Sequence, residues 1–154
     1  MKKLIMYFLI IIFNIQSVYA LPSEAIITIN GEVNTITLAQ QITPKIEIHL
    51  NANDDINKVV NFYIIGFATS NNNCLAFDVG LEKDVCGYIY RGLEDQWSSV
   101  PLGNTYSGTL QSFNNFSILD IPLPVGVYNF LFFIVDPEDS TLITGSEISL
   151  EIQK

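Results

Sequence analysis

IPLPVGVYNFLFFIVD, residues 121–136, is the stretch that decides the fold. Pro122 and Pro124 bracket a turn, Gly126 follows, and Tyr128 stands two residues further on. The eight residues Asn129–Asp136 are then almost all apolar. A strand with one wet face alternates apolar and polar side chains, because successive residues point to opposite sides. Here one parity carries Tyr128, Phe130, Phe132 and Ile134, and the other carries Asn129, Leu131, Phe133 and Val135. Both faces of this strand therefore need cover.

A second segment has the same property. In Val59–Thr69 one parity holds Val60, Phe62, Ile64 and Gly66, and the other holds Val59, Asn61, Tyr63, Ile65 and Phe67. Two other strand signals alternate normally. Lys45–Leu50 places Ile46, Ile48 and Leu50 inward and Glu47 and His49 outward. Gly145–Ile152 does the same with Ile148, Leu150 and Ile152 against Glu147, Ser149 and Glu151. Shorter β runs are Ala25–Asn30, ended by the turn dipeptide Asn30-Gly31, then Thr35–Leu38 and Phe116–Ile121. Leu75–Val79 and Val85–Tyr90 read as a hairpin. Asn51–Asn57, Asn71–Asn73 and Asp136–Asp139 are polar loops or turns, and Arg91–Asn115 is the least regular part. Past residue 20 there is no helical stripe longer than about two turns. The pattern predicts an all-β, two-sheet antiparallel sandwich of about seven to nine strands.

In immunoglobulin-like sandwiches a tyrosine at the E–F corner bonds back to the backbone upstream. Tyr128 fits that role, with Pro124 fixing the turn and Gly126 supplying a conformation that other residues resist. A ligand-stacking ring is the alternative. The run Leu-Pro-x-Gly-x-Tyr-x-Phe-x-Phe-x-x-Asp, present over Leu123–Asp136 with one extra spacing residue, resembles the last third of a group of exported bacterial immunoglobulin-like domains. An aromatic-x-Gly-x-Leu segment stands upstream, here Tyr106–Leu110, and a long aromatic strand, Val59–Phe67, precedes an irregular insert. The resemblance extends from Lys45 to the C terminus. It implies an immunoglobulin-like fold in a secreted or surface protein and carries over no catalytic residues. The chain departs from the group in standing alone and in a short connection after the aromatic strand. The resemblance makes Val59–Thr69 and Val127–Val135 paired neighbours in one sheet, strands C and F. The outward apolar surface then lies at the centre of that sheet, on Tyr63, Ile65, Phe67, Leu131 and Phe133. Two occupants are open: the chain's own insert Thr69–Asn115, through Leu93, Trp97 or Leu102, and a protein partner or second copy.

The first twenty residues read as a secretory signal. Lys2 and Lys3 precede the apolar run Leu4–Phe13, and Val18 and Ala20 suit a peptidase cutting after Ala20. An uncleaved anchor is the alternative, although the run is short for a bilayer and no later segment spans one. The remaining single domain, Leu21–Lys154, keeps five of the seven basic residues against sixteen acidic ones, a net charge of −11. That balance argues against nucleic acid and anionic lipid as partners. Export places Cys74 and Cys86 in an oxidising compartment, where such a pair closes. A metal-binding or nucleophilic cysteine is the alternative. The expected location is secreted, periplasmic or at the cell surface.

Chemistry finds little footing. His49 is the only histidine, on an ordinary alternating strand, which disfavours a catalytic triad and zinc. Calcium is a weak candidate, with Asp54 and Asp55 in one loop and Asp136 and Asp139 in another. In an immunoglobulin-like topology these loops share one end of the sandwich. The first loop is not an EF-hand, since Ile56 and Phe62 occupy the glycine and last glutamate positions. Tyr88, Tyr90, Trp97 and Tyr106 form a candidate platform for stacking on carbohydrate. Asn115-Phe116-Ser117 is a glycosylation sequon, without meaning in the bacterial protein that the resemblance implies. The sequence points to an exported, non-catalytic binding or structural module.

Overall fold

The computed structural model describes residues 21–70, 73–75, 86–90, 97–99 and 104–154. The leader expected over residues 1–20 lies outside these, as do Leu93 and Leu102 and most of Leu75–Val79. The fold is all-β. Strands β1 (Glu24–Ile29), β2 (Ile36–Ala39), β3 (Lys45–Asn51) and β4 (Val59–Ser70) come first. The insert contributes β5 (Asn73–Cys74), β6 (Gly87–Tyr90), β7 (Trp97–Ser99) and β8 (Tyr106–Thr109). β9 (Phe113–Asp120), β10 (Gly126–Val135) and β11 (Leu142–Gln153) complete the chain.

One sheet has the order β1-β3-β9 and the other β2-β11-β10-β4-β6-β7, with β5 and β8 as further partners of β4. Together they form an immunoglobulin-like two-sheet sandwich. β10 and β4 are antiparallel neighbours in register, with Phe133 opposite Tyr63 and Leu131 opposite Ile65.

Two expectations need correction. Eleven strands stand among the described residues, where seven to nine were expected. The extra ones arise because the free edge of long β4 is served in pieces: Val59–Phe62 by β8, Ile65–Phe67 by β6 and Thr69–Ser70 by β5. The sandwich is also not wholly antiparallel, since β2 pairs parallel with β11, Ile36 opposite Leu150 and Leu38 opposite Ile152. Alternation has a period of two whichever way a neighbour runs, so strand direction is not written in it. The switch of sheets follows the tight turn at Asn30 (φ 52°) and Gly31 (φ 84°). There Ile29 and Glu32 exchange backbone hydrogen bonds of 2.9 and 3.0 Å.

The core lies between the sheets and follows the inward parities. Ile46, Ile48 and Leu50 of β3 meet Val60, Phe62 and Ile64 of β4, Tyr128, Phe130, Phe132 and Ile134 of β10, and Ile148, Leu150 and Ile152 of β11. The insert adds Tyr88, Tyr90, Trp97 and Leu110 to the same cluster. Trp97 packs edge-on against Phe130 at 6.0 Å and Tyr90 at 5.4 Å. Its indole N–H donates to the Ile118 carbonyl at 3.2 Å, joining β7 to β9 of the opposite sheet. Full burial of such a side chain contributes about 1.5–3 kcal/mol.

Candidate interaction surface

The turn that introduces β10 has the expected tyrosine corner. The Tyr128 hydroxyl donates to the Pro124 carbonyl at 2.6 Å, while the ring is fully buried. Burial pushes the phenol pKa well above its ordinary value, since the anion would lose its hydration. Gly126 is needed for a different reason than expected. It does not adopt a positive φ, as Gly31 does. It sits against β4 instead, where an added Cβ would lie 2.7 Å from the Thr69 carbonyl oxygen and 2.9 Å from Leu75 Cδ2. Cys74 and Cys86 are joined in a disulfide with Cα atoms 4.5 Å apart. The described residues on either side of it, β5 and β6, both pair with β4.

The outward side of β4 and β10 divides into a covered part and an open part. All four residues of β6 are buried, and Ile89 is 0 % exposed although it faces away from the inter-sheet core. Ile65, its cross-strand partner, is buried with it. Ile65 is therefore withdrawn from the expected interface. Phe67 is 40 % exposed and lies over Gly87, where an added Cβ would come within 3.0 Å of its ring. Tyr63 and Phe133 stack nearly parallel, with ring centroids 4.8 Å apart. Both are half-buried, as are Leu131 and Val135.

Toward β11 the surface opens further. Gly145 stands opposite Phe133, and a Cβ there would be 3.1 Å from Phe133 Cβ. Leu131, Phe133, Leu142, Gly145 and Glu147 line a shallow groove of about 400 Å³. Leu142 is 67 % exposed at its rim. Glu147 stands opposite Leu131, and Glu151 opposite Val127, so the apolar strip is edged by carboxylates.

The carbohydrate platform does not assemble. Tyr88, Tyr90 and Trp97 are buried in the core, where no sugar can reach their faces. They read as a surface cluster because their sequence neighbours are polar and irregular. Tyr106 alone is exposed, at 59 %. Its ring covers Gly108, where a Cβ would collide with it, and its centroid lies 5.7 Å from that of Phe62.

The carboxylates of the acidic loops have hydrogen-bond partners within the chain. Asp54 Oδ2 accepts from the Leu21 backbone nitrogen at 2.5 Å. Asp55 accepts from the Ser23 hydroxyl and from Lys58. The Lys58 ammonium is the main cause holding the Asp55 carboxyl below its ordinary pKa. Asp136 accepts from the Glu138 nitrogen at 2.8 Å, and Asp139 from the Thr141 nitrogen at 2.9 Å and hydroxyl at 2.7 Å. The Thr141 bonds lower the Asp139 pKa. The two loops share one end of the sandwich, because Val135 at the end of β10 pairs with Asn61 near the start of β4. Lys58 forms an ion pair with Asp55 there. No group of three or more His, Cys, Asp or Glu residues arranged to hold a metal occurs among the described residues.

His49 bridges strands. Its Nε2 lies 3.3 Å from the Thr28 hydroxyl, and its Nδ1 accepts from the Asn115 nitrogen at 3.3 Å. Asn115 itself has a positive φ of 56°. No helix among the described residues is long and apolar enough to cross a membrane. Compared with known proteins, the chain matches no family model and no curated protein.

Proposed function

We propose that this chain is an exported, non-catalytic immunoglobulin-like module that works by holding a protein partner on the outer face of β4, β10 and β11. The observation that carries the reading is the stacked Tyr63–Phe133 pair, half-buried on the two central strands of the larger sheet. Leu131 and Leu142 line one groove with Phe133, and Phe67 is exposed further along β4, so the apolar surface stands out on a chain of net charge −9. Strips of this kind on soluble proteins mark contact sites. Glu147 and Glu151 along one edge favour a partner with an apolar centre and a basic rim. The apolar leader and the disulfide support export to the periplasm, the cell surface or the medium.

Light scattering on the processed protein, wild type and Phe133→Asp, tests the reading. A Phe133→Asp protein that keeps its melting temperature and loses a dimer or a bound protein supports it. A variant that unfolds shows that the chain covers this face itself. A folded variant with every association intact places the contact elsewhere.

A further inference from the structure

The loop between β3 and β4 is built around the first residues of the sandwich. Its short 3-10 turn, Asn53–Asp55, follows Ala52. The Leu21 nitrogen donates to Asp54 Oδ2 at 2.5 Å, and the Asp54 nitrogen donates back to the Leu21 carbonyl at 3.3 Å. Asn53 Nδ2 donates to the Pro22 carbonyl at 2.7 Å. The Ser23 hydroxyl lies 2.9 Å from both the Ala52 carbonyl and Asp55 Oδ2, and the Ser23 nitrogen donates to Asp55 Oδ2 at 3.2 Å. Leu21, Pro22 and Ser23 are thus each gripped by the four residues Ala52–Asp55 before β1 begins.

We infer that Asp54 is the receptor for the processed N-terminus: cleavage after Ala20 converts the Leu21 nitrogen into an ammonium that ion-pairs with the Asp54 carboxylate. The inference rests on the export reading, which supplies the cleavage. Hydrolysis of the Ala20–Leu21 bond by a signal peptidase consumes one water. The water oxygen stays on Ala20 as part of a carboxylate, and Leu21 keeps the nitrogen as an amine that takes up a proton. In the unprocessed chain the same nitrogen is a neutral peptide N–H with one hydrogen to give. After cleavage it has a full charge and three, and a charge-assisted bond is roughly twice as strong as a neutral one.

The surroundings favour the charge. The Asp55 carboxylate is held next to Asp54 by Ser23, Glu24 opens β1, and the cation Lys58 is paired with Asp55. An opposite charge this close raises the pKa of an α-amino group above its ordinary value of about 8. The stabilisation is then complete below about pH 8 and is lost as pH rises through the raised value. Processing would not merely release the sandwich from its leader. It would tighten the hold of the β3–β4 loop on the first residues of the sandwich.

The test uses the full chain exported by a bacterial host, with its product's N-terminus read by intact mass. The α-amino pKa is then taken from the pH dependence of acetylation at low ionic strength. The expected product begins at Leu21 and titrates about one unit above an ordinary α-amino group, and Asp54→Asn restores the ordinary value. A product that begins at Leu21 yet titrates at the ordinary value overturns the inference and leaves export standing. A product that begins elsewhere overturns the assigned cleavage site and the inference together. If Asp54→Asn does not fold, the wild-type titration alone decides.

Discussion

Replacing Tyr128 by Phe removes one oxygen and keeps the ring. The lost bond is the 2.6 Å donation to the Pro124 carbonyl, at the bend that starts β10. A neutral hydrogen bond contributes about 0.5–1.5 kcal/mol net, and more when its abandoned partner stays buried and dry. Pro124 is exposed, so water can take over its carbonyl. The expected cost is therefore about 1–1.5 kcal/mol, or roughly 3–5 °C in melting temperature for a domain of this size. Tyr128→Ala also empties a core site and should cost about 3–5 kcal/mol. Guanidinium unfolding separates the two, with the midpoint moving at constant slope if the unfolded state is unchanged. A Phe variant within about 0.3 kcal/mol of wild type would show that the corner bond contributes nothing. A Phe variant as costly as Ala would show that the hydroxyl, rather than the ring, organises the turn.

Other perturbations follow from the same geometry. Gly126→Ala pushes a methyl group against the Thr69 carbonyl and should cost about 1–3 kcal/mol in the same unfolding assay. Replacing Cys74 and Cys86 together by Ser opens a loop with a sequence separation of 12, and the measured stability should fall by about 3 kcal/mol. Because burial raises the Tyr128 pKa, its contribution is fully present below the unfolded value of about 10 and is lost as pH rises above it. Tyr128→Phe should remove that part of the alkaline decline in melting temperature. Asp55 is held low, so its small contribution is present above the unfolded carboxyl value of about 4 and fades as pH falls through its lower folded value. Asp55→Asn should flatten that acid limb.

Much of the sandwich was legible because burial writes a period of two. β3 and β11 alternate as read, and the two-sided β4 and β10 lie side by side at the sheet centre. Tyr128 was legible because a tyrosine beside a proline-glycine bend has few other uses. Other features depend on relations that alternation does not encode. The parallel pairing of β2 with β11 joins residues more than a hundred positions apart. The rings of the insert were misplaced because their sequence neighbours are polar and irregular, while their spatial neighbours are Phe130 and Ile118. Gly126 was correctly marked as special, but the constraint comes from Thr69 and Leu75 across the sheet. The cradle for Leu21–Ser23 left no trace, since a serine and two aspartates some thirty residues apart carry no local pattern.

The central claim, that the outer face of β4 and β10 is the working surface, is most directly tested by a photo-crosslinking residue at Leu131 in the producing cell. The control is the same residue at Asn114, exposed on β9 of the opposite sheet. A discrete protein adduct is expected at position 131, lost in the Phe133→Asp background, and none at position 114. No adduct at position 131, or equal adducts at both positions, would contradict it.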